Sequence, residues 1–194
     1  SESGHLLFAG KSALFSRPFD PDALTFQGKA VFVMELASTT DRGTAYYDLG
    51  NEGTLAYLKP GVTDGARKLH WLQQGKEPTV ASQLPWKGNF IALGPKEERL
   101  VFDEGGDLKV LMFKGDYVRS LTIGPGFDRF PYWSPDGEWV YFSSQRDRVR
   151  GIWRIKADFS MNAPELVVSH AGFLSVSSMD SDGSRLYLTG SDAE

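Results

Sequence analysis

The sequence predicts an all-β fold: a β-propeller of four-stranded antiparallel blades, with about four to five blades present in an incomplete ring. Three observations carry that expectation. A polar turn followed by an apolar run recurs about every 45 residues, inside the range of propeller blades. Each interval holds four short segments rich in β-branched and aromatic residues. No ten-residue window carries a helical apolar stripe. The 21 glycines and 10 prolines among 194 residues, with 13 Phe, 7 Tyr and 5 Trp, suit short strands joined by turns.

Taken in order, the turn-and-strand segments are Ser3–Phe8, Glu52–Tyr57, Pro95–Phe102, Ser134–Phe142 and Ser181–Leu188. A second strand follows at Ala13–Phe15, Leu69–Leu72, Leu108–Phe113 and Gly151–Ile155. A third is expected at Ala30–Val33, Pro78–Val80, Ser120–Ile123 and Leu166–Val168. Ahead of the later turns lie Ala45–Leu49, Phe90–Leu93, Phe130–Trp133 and Phe173–Ser177. The whole chain, 1–194, thus reads as one propeller domain or fragment. Its repeats are 1–36, 37–82, 83–124, 125–169 and a partial 170–194. Seventeen strands do not divide into blades of four, and the strands at Leu6 and Leu186 duplicate each other. The expectation is a piece of a larger ring, completed by further chain or by another copy pairing at an open blade edge. The opening at Ser1, in mid-pattern, fits a cut piece. The alternative is a displaced terminal strand and a ring closed at five blades.

Composition narrows function by exclusion. Lysine plus arginine number 21 against 25 acids, a formal net charge of −4, which lacks the basic footprint of a nucleic-acid binder. With no cysteine, disulfides, thiolate metal sites and cysteine nucleophiles are all removed. No run approaches the ~18 apolar residues that span a bilayer, so no membrane insertion is expected. Mean hydropathy is −0.30, that of a globular chain and not of a disordered tail.

Ser134-Pro135-Asp136-Gly137 is a tight turn: proline fixes φ, Asp136 caps the backbone ahead and Gly137 tolerates positive φ. With its flanks, Phe130-Pro131-Tyr132-Trp133 before and Glu138-Trp139-Val140-Tyr141-Phe142-Ser143-Ser144-Gln145-Arg146-Asp147 after, it resembles the TolB-like propeller repeat. The continuation Gly151-Ile152-Trp153-Arg154-Ile155-Lys156-Ala157-Asp158 is similar to the same family. The motif is degenerate elsewhere, with Lys96-Glu97-Glu98 where Asp-Gly is usual. The first half, through Leu14-Phe15-Ser16-Arg17-Pro18-Phe19-Asp20 and Lys68-Leu69-His70-Trp71-Leu72, resembles the propeller region that follows bacterial serine/threonine kinase domains. No kinase motif accompanies it. The resemblance implies a protein- or peptide-binding scaffold or sensor, part of a larger chain, in a periplasmic or other extracytoplasmic setting.

No catalytic constellation stands out. There is no Gly-x-Ser-x-Gly elbow, phosphate loop or dinucleotide fingerprint, so no cofactor is expected. His5, His70 and His170 are too far apart in sequence for a preformed metal site, and no metal is expected. Asp180-Ser181-Asp182-Gly183 lacks the spacing of a calcium loop. Glu97, Glu98, Asp103, Glu104 and Asp107 cluster in one repeat, as a solvated charge run does. A propeller gathers on one face the loops entering each innermost strand and those following the second. Those loops supply Arg42, Trp86, Asp128, Arg129, Arg146, Asp147 and His170 as candidate binding residues. Trp86 is the favoured single contact, or else a cover on its blade core. The preferred reading is a non-catalytic propeller holding a protein or peptide. The rivals are a fragment of an enzyme (a peptidase gate, or a lyase or hydrolase with central acids) and a structural spacer.

Overall fold

In the computed structural model, residues 4–10, 13–36, 46–50, 53–59, 67–73, 76–160 and 163–191 are described. They are all-β, with no helix, in five antiparallel sheets, four of four strands and one of two. The chain divides into two compact units: Ser1–Tyr47 with Glu52–Trp86, and Asp48–Asn51 with Lys87–Glu194.

In the first unit, β1 (His5–Gly10), β2 (Ala13–Asp20) and β4 (Val31–Glu35) form a meander, and the short β3 (Thr25–Phe26) pairs with the far end of β2. That extra strand makes eighteen among the described residues, where the sequence suggests seventeen. Its register sets Phe19 against Phe26, whose rings lie 5.4 Å apart. The next sheet runs β5 (Tyr47–Leu49), β6 (Leu55–Lys59), β7 (Lys68–Leu72), β8 (Thr79–Val80), of which β6 to β8 lie wholly in this unit. Leu14, Leu36, Leu55 and Tyr57 form a buried cluster in this unit.

The second unit holds two complete sheets in sequence order. One is β9 (Ile91–Leu93), β10 (Arg99–Glu104), β11 (Asp107–Met112), β12 (Tyr117–Ser120). The other is β13 (Arg129–Trp133), β14 (Trp139–Arg146), β15 (Val149–Lys156), β16 (Glu165–Ser169). The hairpin β17 (Leu174–Met179) and β18 (Leu186–Gly190) follows. Strand β12 ends at Ser120, so the expected strand over Ser120–Ile123 is displaced. Leu121 and Thr122 both donate their N–H to the Leu108 carbonyl, at 2.8 and 3.2 Å, and the Thr122 hydroxyl takes the Leu108 N–H at 2.8 Å. These bonds pull the chain out of the ladder.

Period-two burial explains why these segments are strands. In β14, Val140, Phe142 and Ser144 point inward while their neighbours are less buried. Val140 and Phe142 meet Val101, Val110, Trp133 and Ile155 in the core of this unit. The Ser134–Gly137 turn is built as its chemistry requires: Gly137 has φ 73°, and Asp136 accepts the Glu138 N–H at 2.8 Å. Hydrogen bonds from the Ser134 hydroxyl and that N–H hold the Asp136 carboxyl below its usual range.

Arg99 ties the two complete sheets together. From β10 it donates to the carbonyls of Ala157 (2.9 Å) and Gly137 (2.6 Å), and its guanidinium lies 4.5 Å from the Trp133 ring centre. Trp133 in turn donates its indole N–H to the Ala92 carbonyl at 3.0 Å. Charged donors to backbone carbonyls contribute about 1.5–3 kcal/mol. Arg99→Met keeps the stem's packing and loses both bonds. Its urea midpoint is expected to fall by an amount equivalent to about 2 kcal/mol, and an unchanged midpoint refutes the tie.

Asp48, in the second unit, accepts the N–H groups of Leu93 and Leu49. Burial outweighs these bonds and pushes its pKa up to about 6 from 3.8. The folded state therefore holds this proton more tightly than the unfolded chain. The resulting stability is full below about pH 4 and lost as pH rises through about 6. Asp48→Asn is expected to flatten stability against pH across that window by about 1–2 kcal/mol relative to the native protein. Urea unfolding at pH 4, 5, 6 and 7 reads it, and parallel profiles would contradict it.

Candidate functional site

One end of the second unit carries a cleft where strand openings meet. Its walls come from the loop before β13 (Phe127), the start of β13 (Arg129, Phe130), the end of β14 (Gln145), the start of β15 (Arg150) and the residue before β17 (Phe173). Phe127 is 60% exposed and Phe173 41% exposed, so two large rings stand in water at its mouth.

The backbone shapes this cleft at Phe130. A register shift interrupts the β13–β14 ladder between Arg129 and Tyr132, and Phe130 has φ 54°, in the left-handed region that a bulky residue rarely occupies. Such a conformation costs on the order of 1–3 kcal/mol and persists only where the surroundings hold it. Two rings do so: Phe90, 4.0 Å away between ring centres, and Phe173, edge-on at 5.1 Å. The bulge turns Phe130 into an aromatic row and leaves Arg129 beside it.

Arg129 is framed by aromatic faces. Its guanidinium carbon lies 5.4 Å from the Phe90 ring centre, 5.2 Å from Phe127 and 5.6 Å from Phe130. Asp103, buried at the end of β10, approaches its Nε at 3.7 Å and spends Oδ1 on the Phe90 N–H at 2.7 Å. Burial raises the Asp103 pKa, opposed by the Phe90 bond and then by Arg129. Behind the cleft, Arg146 pairs with the fully buried Asp128, which also accepts the Ser144 hydroxyl at 2.6 Å. Asp107 stands near that pair, its pKa raised first by burial and then by the Asp128 charge.

The seven residues singled out from sequence separate in space. Arg129 lines the cleft. Asp128, fully buried, and Arg146, whose side chain is 12% exposed, pair with each other, so neither charge is left unmatched. Asp147 is exposed in the β14–β15 turn, where Asp147 (φ 49°) and Arg148 (φ 67°) both take the left-handed conformation of a two-residue hairpin loop. His170 donates its backbone N–H to the Arg150 carbonyl at 2.9 Å and accepts the Gly172 N–H on Nδ1 at 3.1 Å, which fixes a loop. Trp86 belongs to the first unit and is 8% exposed, bridged to Arg67. A ring so buried fits the alternative given for it, a cover on its blade core. Arg42 lies outside the described residues. Sequence reasoning missed Phe127, Phe173 and Arg150. The run Gly126-Phe127-Asp128-Arg129-Phe130 carries the available signal, an arginine bracketed by phenylalanines.

Among the described residues, no group of three His, Asp or Glu side chains could hold a metal ion. His70 lies in the first unit, 5.5 Å from the Tyr57 ring, with its pKa lowered by burial and then by Lys59 and Lys68.

No family profile matches the chain. An uncharacterized protein of Agrobacterium fabrum is 48% identical over 40 residues, which is 21% of this chain and 14% of that protein. Among solved structures, a TolB-like protein of Agrobacterium tumefaciens superposes with a TM-score of 0.72 at 19% identity, covering 100% of this chain and 68% of its own. An oligogalacturonate lyase in complex with manganese gives 0.64 at 16% identity, over 98% of this chain and 56% of the lyase. A structure of a nidogen/laminin complex gives 0.61 at 15% identity, over 85% of this chain and 61% of the matched one. At these identities the likeness shows the fold, a TolB-like β-propeller of about four to five blades. That fold is shared by enzymes and by proteins found in complexes. The resemblance to propeller regions after kinase domains receives no support from these relatives.

Proposed function

We propose that the chain is a non-catalytic TolB-like propeller module that holds a protein or peptide in the cleft between Phe127, Phe130 and Phe173. The observation that supports the reading is the arrangement there. Phenylalanine rings and arginine are enriched at protein interfaces, and the cleft presents exposed phenyl rings beside a ring-framed arginine. They sit on strand openings with a strained backbone, rigid enough to present a fixed surface. Phe173→Ala trims an exposed ring and leaves Phe90, 4.0 Å away between ring centres, as the ring that holds Phe130. Peptides selected by phage display on the native chain are expected to lose about 10-fold or more in affinity for this variant. Equal affinity for the two proteins refutes the cleft.

A second reading, a lyase or hydrolase, draws on one feature: the Asp103 carboxyl, raised in pKa beside the cleft. Turnover of an acidic oligosaccharide by the native chain, abolished by Asp103→Asn, would favour it over binding.

A further inference from the structure

We infer that the cleft selects peptide segments in which a carboxylate stands two residues from an aromatic or large aliphatic side chain. The inference rests on the peptide-binding reading above and specifies its chemistry.

The carboxylate preference comes from Arg129. Among the described residues, no hydrogen bond holds its guanidinium. Its Nε is buried without a partner, and the nearest acid, Asp103, stays at 3.7 Å. Three phenyl rings flank the group at 5.2 to 5.6 Å. Ring faces attract the cation yet consume none of its N–H donors, so the fork is oriented and still open. A carboxylate matches a guanidinium fork in charge and in planar geometry. Arg150 adds a second cation at the rim, steadied by the Gln145 side-chain oxygen at 3.1 Å. Among the described residues that line the cleft none is acidic, although the chain as a whole carries −4. Two cations in the cleft lining, with Asp103 set behind Arg129 and outside the lining, favour an anionic segment.

The apolar half comes from the aromatic row. Phe127 and Phe173 leave 60% and 41% of their surfaces in water, and Phe130 links Phe173 to the arginine. The charged and apolar halves are thus about one ring apart. In an extended peptide, side chains at i and i+2 share a face at about 7 Å, which spans that step.

The test measures fluorescence anisotropy of labelled nonapeptides with Gly/Ser flanks and a core of Glu-Ser-Phe, Gln-Ser-Phe, Lys-Ser-Phe or Glu-Ser-Ala, on the full chain. The Glu-Ser-Phe probe is expected to bind about 10-fold tighter than Gln-Ser-Phe, with Lys-Ser-Phe weakest. That advantage should shrink as NaCl rises from about 50 to about 300 mM. Arg129→Gln should erase the Glu/Gln difference, whereas Phe173→Ala should weaken both probes alike. The salt series on the native chain keeps the test sound if Arg129→Gln fails to fold. Equal binding of the Glu and Gln probes overturns carboxylate selection and leaves peptide binding standing. Absence of binding by every probe overturns both. Displacement of the Glu probe by trigalacturonate at lower concentration than by unlabelled peptide assigns the cleft to an acidic saccharide and overturns the inference.

Discussion

Asp128→Ala is expected to destabilise the second unit by about 3–5 kcal/mol, the cost of breaking a buried ion pair from one side. Asp128 has no exposed surface, and the Arg146 side chain facing it is 12% exposed. Removing the carboxylate strands that guanidinium, whose Nε already lacks a partner, and frees the Ser144 hydroxyl. Asp107 is the acid left nearby, and it supplies a second readout. Its carboxyl is held above the usual range by burial and then by the Asp128 charge. In Asp128→Asn, which keeps the shape, the Asp107 titration followed by NMR should therefore move to lower pH. Replacing both partners, Asp128→Leu with Arg146→Met, should recover most of the lost stability, because two apolar groups need no charge compensation. A single Asp128→Ala variant within about 1 kcal/mol of native would show the pair to be ornamental.

The division between what the sequence states and what it withholds follows from range. Blade periodicity is local: turn chemistry such as Ser134–Gly137 and the inward alternation of Val140 and Phe142 are written within a few residues. Hence the fold and most strands are readable from the sequence. Strand β12 is misplaced because Leu121 and Thr122 are drawn off by Leu108, thirteen and fourteen residues away. A propeller's general geometry points to the loops at the strand ends, and Arg129 on one of them lines the cleft. Yet composition cannot tell a charge that faces water from one that faces a partner charge. Asp128 and Arg146 are eighteen residues apart and look like two loop contacts until they are seen bonded to each other. Phe130 is concealed differently. Its apolar side chain reads as an ordinary strand opening, and only the positive φ reveals that the strand is bent there.

Gly151→Ala is expected to cost at least about 3 kcal/mol, although it adds a single methyl group. An alanine Cβ at this position would stand 2.0 Å from the Val168 carbonyl oxygen and 3.0 Å from the Ser169 Cα, both backbone atoms of the neighbouring strand. No rotamer can relieve that overlap, since the obstacle is the β15–β16 ladder itself, with Gly151 set opposite Ser169. Reduced freedom of the unfolded chain would favour alanine by about 0.4–1 kcal/mol, too little to offset a forced separation of strands. Movement of β15 would also disturb the bond from the His170 N–H to the Arg150 carbonyl and, with it, the arginine at the cleft rim. Peptide affinity and stability should therefore fall together in Gly151→Ala, whereas Arg150→Ala should weaken affinity with stability nearly unchanged. Gly10→Ala serves as the control: its nearest neighbour is the edge of the Phe15 ring at 3.5 Å, an ordinary contact. A melting transition for Gly151→Ala that coincides with the control would mean that the two strands do not approach this closely in solution.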